Sequence, residues 1–147
     1  MLGLFFGRIG CYLNGCCWGK RSSSAWGVIF PRGSLPWRSQ YDAHLIARAA
    51  EALPVHPTQL YESVACLLIA LFLFFYARPR KKKEGEVFAL MLMLYAVARS
   101  VVEILRDDDR GVFLGGHLST SQLLSIPLFG FGLWLWTVKR RQAGPAR

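Results

Sequence analysis

Residues 7–20 read Gly-Arg-Ile-Gly-Cys-Tyr-Leu-Asn-Gly-Cys-Cys-Trp-Gly-Lys, and the rest of the chain is organised around them. Four glycines fall between positions 7 and 19, and inside a helix each costs about 1 kcal/mol against alanine. The stretch therefore predicts a backbone that breaks at a membrane surface and lets a ligand approach. Arg8 lies near the end of an apolar segment, where its guanidinium suits a lipid phosphate. A snorkelling arginine that only anchors a helix end is the alternative.

The composition predicts a membrane protein. Hydrophobic residues make up 53% of the 147 residues and come in long blocks, and the formal net charge is +9 at pH 7. The basic residues bracket the hydrophobic runs and form no polar stripe. This pattern favours anionic lipid as the partner and argues against nucleic acid.

Three apolar segments have about the 20 residues that a bilayer requires. They are residues 58–77, 87–105 and 118–138. The expected fold is all-α, a polytopic transmembrane helical bundle with three full spans and a partial N-terminal helix. At this length we expect a single membrane domain over residues 1–147.

The remaining segments connect or flank the spans. Residues 1–19 are apolar at first and predict the far end of a transmembrane helix, followed by the glycine- and cysteine-containing loop. Residues 20–55 are mostly polar and predict an extramembrane loop, with a short helix around Asp42–Leu53. Residues 139–147 predict a cytoplasmic tail.

Loop charge predicts the orientation in the membrane. Residues 78–83 carry five basic side chains and residues 139–141 carry three, so both segments are expected in the cytoplasm. Residues 106–117 are net negative and are expected outside. The basic loop at residues 20–55 would also lie outside, which counts mildly against this scheme. The orientation places the polar motifs on the outer, periplasmic side and the C-terminus in the cytoplasm.

The second span carries polar residues on one helical face. Tyr95, Arg99, Glu103 and Arg106 follow one another at steps of four, four and three. An arginine inside the bilayer costs about 2.5–3.5 kcal/mol, and Glu103 can offset part of that cost for Arg99. The face is interpreted as the lining of an outward cavity for an anionic headgroup. A structural ion pair that locks two helices together is the alternative.

A second polar cluster opens the first span, where residues 56–62 read His-Pro-Thr-Gln-Leu-Tyr-Glu. A helix N-terminus favours an anion through its unpaired N–H groups and its dipole. His56, Gln59 and Glu62 lie roughly on one side of that helix. In the alternative interpretation, His56 caps the helix and Glu62 only compensates the dipole.

Together these motifs resemble the prolipoprotein diacylglyceryl transferase family, over roughly its second half. The matching motifs are Gly7-Arg8-Ile9-Gly10 with Asn14 and Gly19, then His56 to Glu62, then Tyr95-x3-Arg99-x3-Glu103-x2-Arg106, then Ser121 to Pro127. The resemblance implies a multi-pass enzyme of the bacterial inner membrane. Its reaction would move the diacylglyceryl group of phosphatidylglycerol to the lipobox cysteine thiol of a prolipoprotein, with release of glycerol phosphate. No metal and no organic cofactor are implied.

The resemblance also implies roles for individual residues. Arg99 would be an essential catalytic arginine near the reacting carbon, and Arg8 would contact the lipid phosphate. Cations suit a phosphate leaving group, and arginine supplies them without a proton transfer. The other implied substrate-binding residues are Asn14, Gln59, Tyr61, Glu62, Tyr95, Glu103 and Arg106.

The sequence departs from the family in two ways. Cys11 stands where the family has asparagine, and Cys16 stands where it has glutamate. The histidine-glycine-glycine region that supplies the family's proposed base belongs to its N-terminal half, which this sequence does not contain. His56 is therefore the hypothetical base, and a second chain is a candidate source of the missing half.

The cysteines leave further alternatives open. Cys11, Cys16 and Cys17 do not have the spacing of a zinc ribbon or a redox pair, so no metal is expected. A disulfide stays open, since the cluster would face the oxidising side. Cys66 is expected to be a small hydrophobic residue within a span. Besides the transferase, complete or as part of a longer enzyme, the alternatives are a non-catalytic phospholipid-binding protein and a cysteine-based membrane redox or metal protein.

Overall fold

The computed structural model describes residues 1–106, 112–113 and 118–141. In chain order its helices are α1 (Leu2–Leu13), α2 (Leu35–Asp42), α3 (Thr58–Arg80, π-helical over Phe72–Ala77), α4 (Glu86–Ile104) and α5 (Thr120–Arg141). Between α4 and α5, strand β1 (Val112–Phe113) pairs antiparallel with strand β2 (Leu118–Ser119). Apart from this two-residue pair the described elements are helical, and the predicted all-α helical bundle is confirmed.

Helices α3, α4 and α5 are long and apolar enough to cross a membrane. At most 22% of the residues in their apolar stretches are buried inside the protein. Most of their phenylalanine, leucine and valine side chains therefore face outward. Such surfaces suit lipid, because in a bilayer apolar side chains gain nothing by turning inward.

Helix α1 corrects one prediction. The glycines at positions 7 and 10 were expected to break the helix, but α1 continues through both as far as Leu13. A Cβ atom added to either glycine would have no non-local atom within 4 Å, so neither serves a close approach. Ser63 of α3 donates a hydrogen bond to the carbonyl of Phe5 at 3.0 Å. Packing of α1 on α3 therefore outweighs the low helix propensity of glycine.

The short helix of the extramembrane loop also lies elsewhere than predicted. It was expected around residues 42–53, but α2 ends where that range begins. Ser34 starts α2 earlier, because its side chain caps the helix by accepting from the backbone N–H of Trp37 at 3.5 Å. The following segment is non-helical, and Gln40 holds it by donating to the carbonyl of Leu53 and accepting from its N–H.

Helices α4 and α5 pack closely through a glycine. A Cβ atom on Gly132 would lie 2.9 Å from Cγ of Met93 and 3.0 Å from the carbonyl oxygen of Ala89. Ala89 is completely buried. Small residues at such contacts let helix backbones approach one another within a membrane, and this contact fixes α5 beside the polar face of α4.

Candidate functional site

Glu62 joins three helices at the centre of the polar cluster. Its carboxylate is 2% exposed, and its Oε1 lies 2.9 Å from Nη2 of Arg8 on α1. Its Oε2 lies 3.8 Å from Nη1 of Arg99 on α4. Tyr95, also on α4, donates its hydroxyl to Oε1 at 3.4 Å. A buried carboxylate is tolerated only with such partners, so Glu62 is the hub of the site.

Arg99 extends the cluster to a fourth helix. Its Nη1 lies 2.8 Å from Oε2 of Glu103, one turn further along α4. Neither of these two atoms has a partner in hydrogen-bond geometry within the described residues, so the contact is ionic. Nη2 donates to Oγ of Ser121 on α5 at 2.7 Å. The guanidinium therefore connects α3, α4 and α5.

Arg106 lies just beyond the end of α4. It is 7% exposed, and its backbone pairs antiparallel with Gly19. Its charge is close enough to oppose that of Arg8. The sequence placed Arg106 on the same helical face as Arg99, but α4 ends at Ile104, and the backbone of residue 106 pairs with Gly19 instead. Within the part of the chain that the structure describes, the three arginines and two glutamates of this cluster carry one net positive charge.

The N-terminal turn of α3 holds the signature loop, which we define as residues 14–19. Gln59 donates its Nε2 to the carbonyl of Cys16 at 2.6 Å, and Thr58 donates its hydroxyl to the carbonyl of Cys17 at 2.8 Å. Both donors are buried. Oε1 of Gln59 is also buried and has no hydrogen-bond partner within the described part of the chain.

Gly19 lies in the tightest part of the loop. Its N–H donates to the carbonyl of His56 at 2.9 Å, and the following N–H, from Lys20, donates to the carbonyl of Leu105 at 2.8 Å. A Cβ atom on Gly19 would lie 2.6 Å from that same Leu105 oxygen and 2.7 Å from the methyl group of Thr58. This position therefore requires glycine because of its contacts within the protein, whereas the approach of a ligand to the loop stays a prediction.

His56 lies at the edge of this arrangement. Its Nδ1 is 3.2 Å from the hydroxyl of Tyr61. The N-cap position of α3 belongs to Pro57, and no side chain caps the helix. Within the described residues the ring of His56 pairs with Tyr61 and with no member of the Glu62 cluster. The cap role considered for His56 is therefore wrong.

Asn14 is exposed at the C-terminal end of α1, where its backbone N–H donates to the carbonyl of Gly10 at 3.0 Å. Burial raises the pKa of the Cys16 thiol, and a hydrogen bond with Cys17 raises the pKa further. A hydrogen bond with the side chain of Asn14 lowers the pKa of the same thiol. The structure thus groups Asn14 with the cysteines, apart from the arginines with which the sequence grouped it.

Two features of the site were not predicted from the sequence. Ser121 begins the motif Ser121–Pro127, but nothing in that pattern indicated that its hydroxyl accepts a hydrogen bond from Arg99. The second feature is a set of three thiols: the Sγ atoms of Cys11, Cys16 and Cys17 all lie within 4.8 Å of one another. Their spacing in the sequence gave no signal, because only the fold of the loop brings them together.

Comparison with known proteins places this arrangement in context. The sequence model of the prolipoprotein diacylglyceryl transferase family matches residues 1–138. A phosphatidylglycerol–prolipoprotein diacylglyceryl transferase 2 from Clostridium perfringens is 37% identical over 135 residues, which are 92% of this chain and 46% of the relative. A phosphatidylglycerol–prolipoprotein diacylglyceryl transferase from Nitratidesulfovibrio vulgaris strain Miyazaki F is 37% identical over 98% of this chain and 49% of the relative. One from Legionella pneumophila strain Corby is 36% identical over 95% of this chain and 48% of the relative. The chain spans about half the length of these curated relatives.

Proposed function

Because the chain belongs to the prolipoprotein diacylglyceryl transferase family, we propose that it transfers the diacylglyceryl group of phosphatidylglycerol to a prolipoprotein. The acceptor is the thiol of the lipobox cysteine. One observation carries the proposal: Arg8 and Arg99 converge from two helices on the buried carboxylate of Glu62. Three helices that could cross a membrane give this cluster access to lipid.

The charge of the cluster suits a phosphodiester. Its one net positive charge matches the single negative charge of a phosphatidylglycerol headgroup. A guanidinium has five N–H donors, and Glu62 contacts only one nitrogen of Arg8 and one of Arg99. Both arginines are largely screened from solvent. In such a buried site their attraction for a phosphate is stronger than it would be in water. Glu62 orients the guanidinium groups, and the phosphate neutralises the charge that remains.

The proposed reaction is a displacement at carbon. The sulfur of the acceptor cysteine forms a bond to the glyceryl carbon next to the phosphate, and the bond from that carbon to the phosphate oxygen breaks. The bonding electrons leave with glycerol phosphate, and the thiol proton passes to a base. Negative charge grows on the departing phosphate, which Arg99 and Arg8 stabilise by charge-assisted hydrogen bonds.

His56 is the proposed base. The hydroxyl of Tyr61 at Nδ1 orients the imidazole ring, and Nε2 accepts the thiol proton. A neutral imidazole is suited to this step near pH 7. Full transfer activity in a His56→Ala variant would remove His56 from the mechanism, and the proton would then go to bulk water.

The orientation is part of the proposal. The cluster lies at the periplasmic face of the bacterial inner membrane, and the C-terminus lies in the cytoplasm. The positive charges at residues 78–83 and 139–141 support it. Single cysteines introduced at Ser23 and at Lys82 in a cysteine-free variant test it in intact cells. An impermeant thiol reagent should label the first cysteine and not the second, and the reverse pattern would contradict the orientation.

The transfer itself is tested with the purified chain in phosphatidylglycerol-containing nanodiscs. Lipid labelled in its acyl chains and a lipobox peptide are the substrates. We expect label on the peptide from the wild type and none from Arg99→Ala. The matched control is Arg38→Ala, because Arg38 is an exposed arginine of α2.

The other outcomes separate the remaining hypotheses. Binding of phosphatidylglycerol without transfer would favour a non-catalytic phospholipid-binding protein. The absence of both transfer and binding would overturn both functions. The second chain considered from the sequence stays a prediction, which the mass of the active species in native mass spectrometry tests.

A further inference from the structure

Three thiols lie together beside the proposed lipid site but play no part in its chemistry. The Sγ atoms of Cys11, Cys16 and Cys17 are all within 4.8 Å of one another. The Sγ atoms of Cys16 and Cys17 are 3.7 Å apart. All three cysteines are of intermediate exposure, so a small solute can reach them.

The backbone brings the three thiols together in an unusual way. Cys11 lies in the last turn of α1, and Gly15 then adopts a left-handed φ of 68°. The N–H of Cys16 returns to the carbonyl of Cys11 at 3.1 Å. Cys17 follows with a φ of 65°, which is uncommon for a residue other than glycine and costs of order 1–3 kcal/mol. The turn thus places two successive cysteines near a third.

The spacing of the sulfurs suits a shared metal ion better than a disulfide. Metal–thiolate bonds of about 2.3 Å place sulfurs about 3.8–4.0 Å apart in a tetrahedral or trigonal site. The sulfurs of Cys16 and Cys17 are within about 0.1 Å of this range. The other pairs, at most 4.8 Å apart, require at most about 1 Å of movement. A disulfide requires about 2.05 Å between two sulfurs and would leave the third unused.

We propose that Cys11, Cys16 and Cys17 form a three-thiolate site for a soft, thiophilic cation, copper(I). Thiolate sulfur selects such ions over hard cations, and three thiolates can satisfy copper(I) completely. Structural zinc instead prefers four protein ligands. Within the described residues the cluster contains three cysteines and no histidine or carboxylate. Each copper–sulfur bond forms as a thiol proton leaves for solvent, and the oxidation state of copper does not change.

An ion at this site would stiffen the signature loop. The carbonyls of Cys16 and Cys17 already accept hydrogen bonds from Gln59 and Thr58 of α3. Copper would add a second anchor to the same two residues by connecting their sulfurs to that of Cys11. The loop would then be held both to α1 and to α3.

Titration of the full-length chain in detergent tests the site. Copper(I) is added without oxygen against a chromogenic chelator of known affinity, and zinc is titrated in parallel. We expect one copper(I) per chain. Replacing Cys11, Cys16 or Cys17 by serine should weaken binding at least about 100-fold, because even an outer-sphere partner of a metal is worth 10- to 100-fold.

The chain offers a matched control in its fourth cysteine. Cys66 is buried in α3 and does not belong to the cluster, so Cys66→Ser should leave copper affinity unchanged. Copper affinity that survives all three cluster substitutions would overturn the site. Tighter binding of zinc than of copper(I), measured by the same competition, would overturn the choice of ion.

A measurement on the wild type avoids variants that fail to fold. Copper(I) should protect the cysteines at positions 11, 16 and 17 from alkylation and slow amide hydrogen exchange in residues 14–19. A disulfide among the three cysteines in protein isolated without reductant would overturn the proposal in favour of a redox role. None of these readouts uses lipid transfer, so failure of the proposed enzymatic function would not affect them.

Discussion

Arginine occurs in two contrasting environments at the two ends of this molecule. At the site end, Arg8 and Arg99 are mostly buried and contact the carboxylate of Glu62. The opposite end, which we call the basic end, is formed by residues 78–83 and 139–141. There arginines lie over aromatic rings: Arg78 over Phe74 at 5.3 Å, Arg80 over Tyr76 at 4.1 Å and Arg140 over Trp136 at 4.4 Å.

The difference lies in what each charge loses when its partner is removed. An exposed guanidinium keeps its hydration, and its contacts contribute about 1 kcal/mol or less. A buried guanidinium without its carboxylate is an uncompensated charge, which costs about 3–5 kcal/mol. The site end therefore specifies how the helices pack, and in the proposed function it also binds the anion. The basic end contributes net charge, which supports the proposed orientation but does not fix the geometry of the helices.

The largest effect is expected for Glu62→Gln. The substitution leaves Arg8 and Arg99 without their shared carboxylate, and the free energy of unfolding should fall by about 3–5 kcal/mol. Thermal denaturation in detergent measures the loss. Glu51→Gln is the matched control, because Glu51 is exposed in the segment between α2 and α3. Equal stability of the two variants would mean that the buried cluster is as well hydrated as the surface.

Arg99→Lys is expected to have the next largest effect. Lysine retains the charge but cannot contact Glu103 and Ser121 at once through two nitrogens as Arg99 does. Diacylglyceryl transfer should fall by about 100- to 1,000-fold, the range for loss of one preorganised donor. The initial rate of transfer measures it. A rate within a few-fold of wild type would show that only charge matters, as at the basic end.

The site end also shows what sequence reasoning can reach. The Arg99–Glu103 pair was predictable because both residues lie on one helix at a fixed spacing. The three long apolar helices were predictable because length and hydropathy are local properties. The role of Glu62 as a hub was not, since it depends on how α1 and α4 pack against α3.

Helix α1 and the signature loop show the limit of local sequence reasoning more clearly. The glycines at positions 7 and 10 were expected to end the helix, but packing against α3 keeps them helical. The thiol cluster depends on left-handed backbone angles at Gly15 and Cys17, which no spacing rule predicts. Propensity and periodicity describe regular elements one at a time, whereas the first feature requires α1 to pack against α3 and the second requires an irregular turn.

Close packing distinguishes the site end as well, and Gly19→Ala tests it. The added methyl group would lie 2.6 Å from the carbonyl oxygen of Leu105, which is backbone and cannot rotate away. We expect a loss of about 1–3 kcal/mol in unfolding free energy. Gly130 of α5 has nothing within 4 Å, so Gly130→Ala should instead gain up to about 1 kcal/mol. Chemical denaturation of both variants measures the difference, and losses of equal size would contradict it.

A smaller effect is expected at the basic end for Arg80→Ala. The side chain is exposed and stacks on Tyr76, so the loss should be about 0.5–1 kcal/mol in unfolding free energy. Diacylglyceryl transfer should be unchanged. Arg80→Lys retains the charge and serves as the control for orientation. A transfer rate reduced as strongly as by Arg99→Lys would show that the two ends are coupled.

The smallest effect is expected for the ion pair of Lys81 and Glu84. The hydrogen bond from Lys81 and its charge lower the pKa of Glu84, which is fully exposed. Because the folded pKa lies below the unfolded pKa, the pair stabilises the fold above the unfolded pKa. That stabilisation is lost as the pH falls through the folded pKa. Solvent screens the pair, so Glu84→Gln should leave the thermal midpoint unchanged at pH 7.

Salt sharpens this last test. The Debye length is about 8 Å at 0.15 M salt and longer at lower salt. Any contribution of Glu84 to the free energy of unfolding should therefore fall further when the salt concentration is raised from low to physiological. Wild type and Glu84→Gln should therefore have the same thermal midpoint from neutral pH into acid at this salt concentration. A midpoint difference that is present at pH 7 and vanishes in acid would place Glu84 in a low-dielectric setting. A charge next to the basic end would then behave like the charges of the site end, and the contrast between hydrated and buried charges would fail.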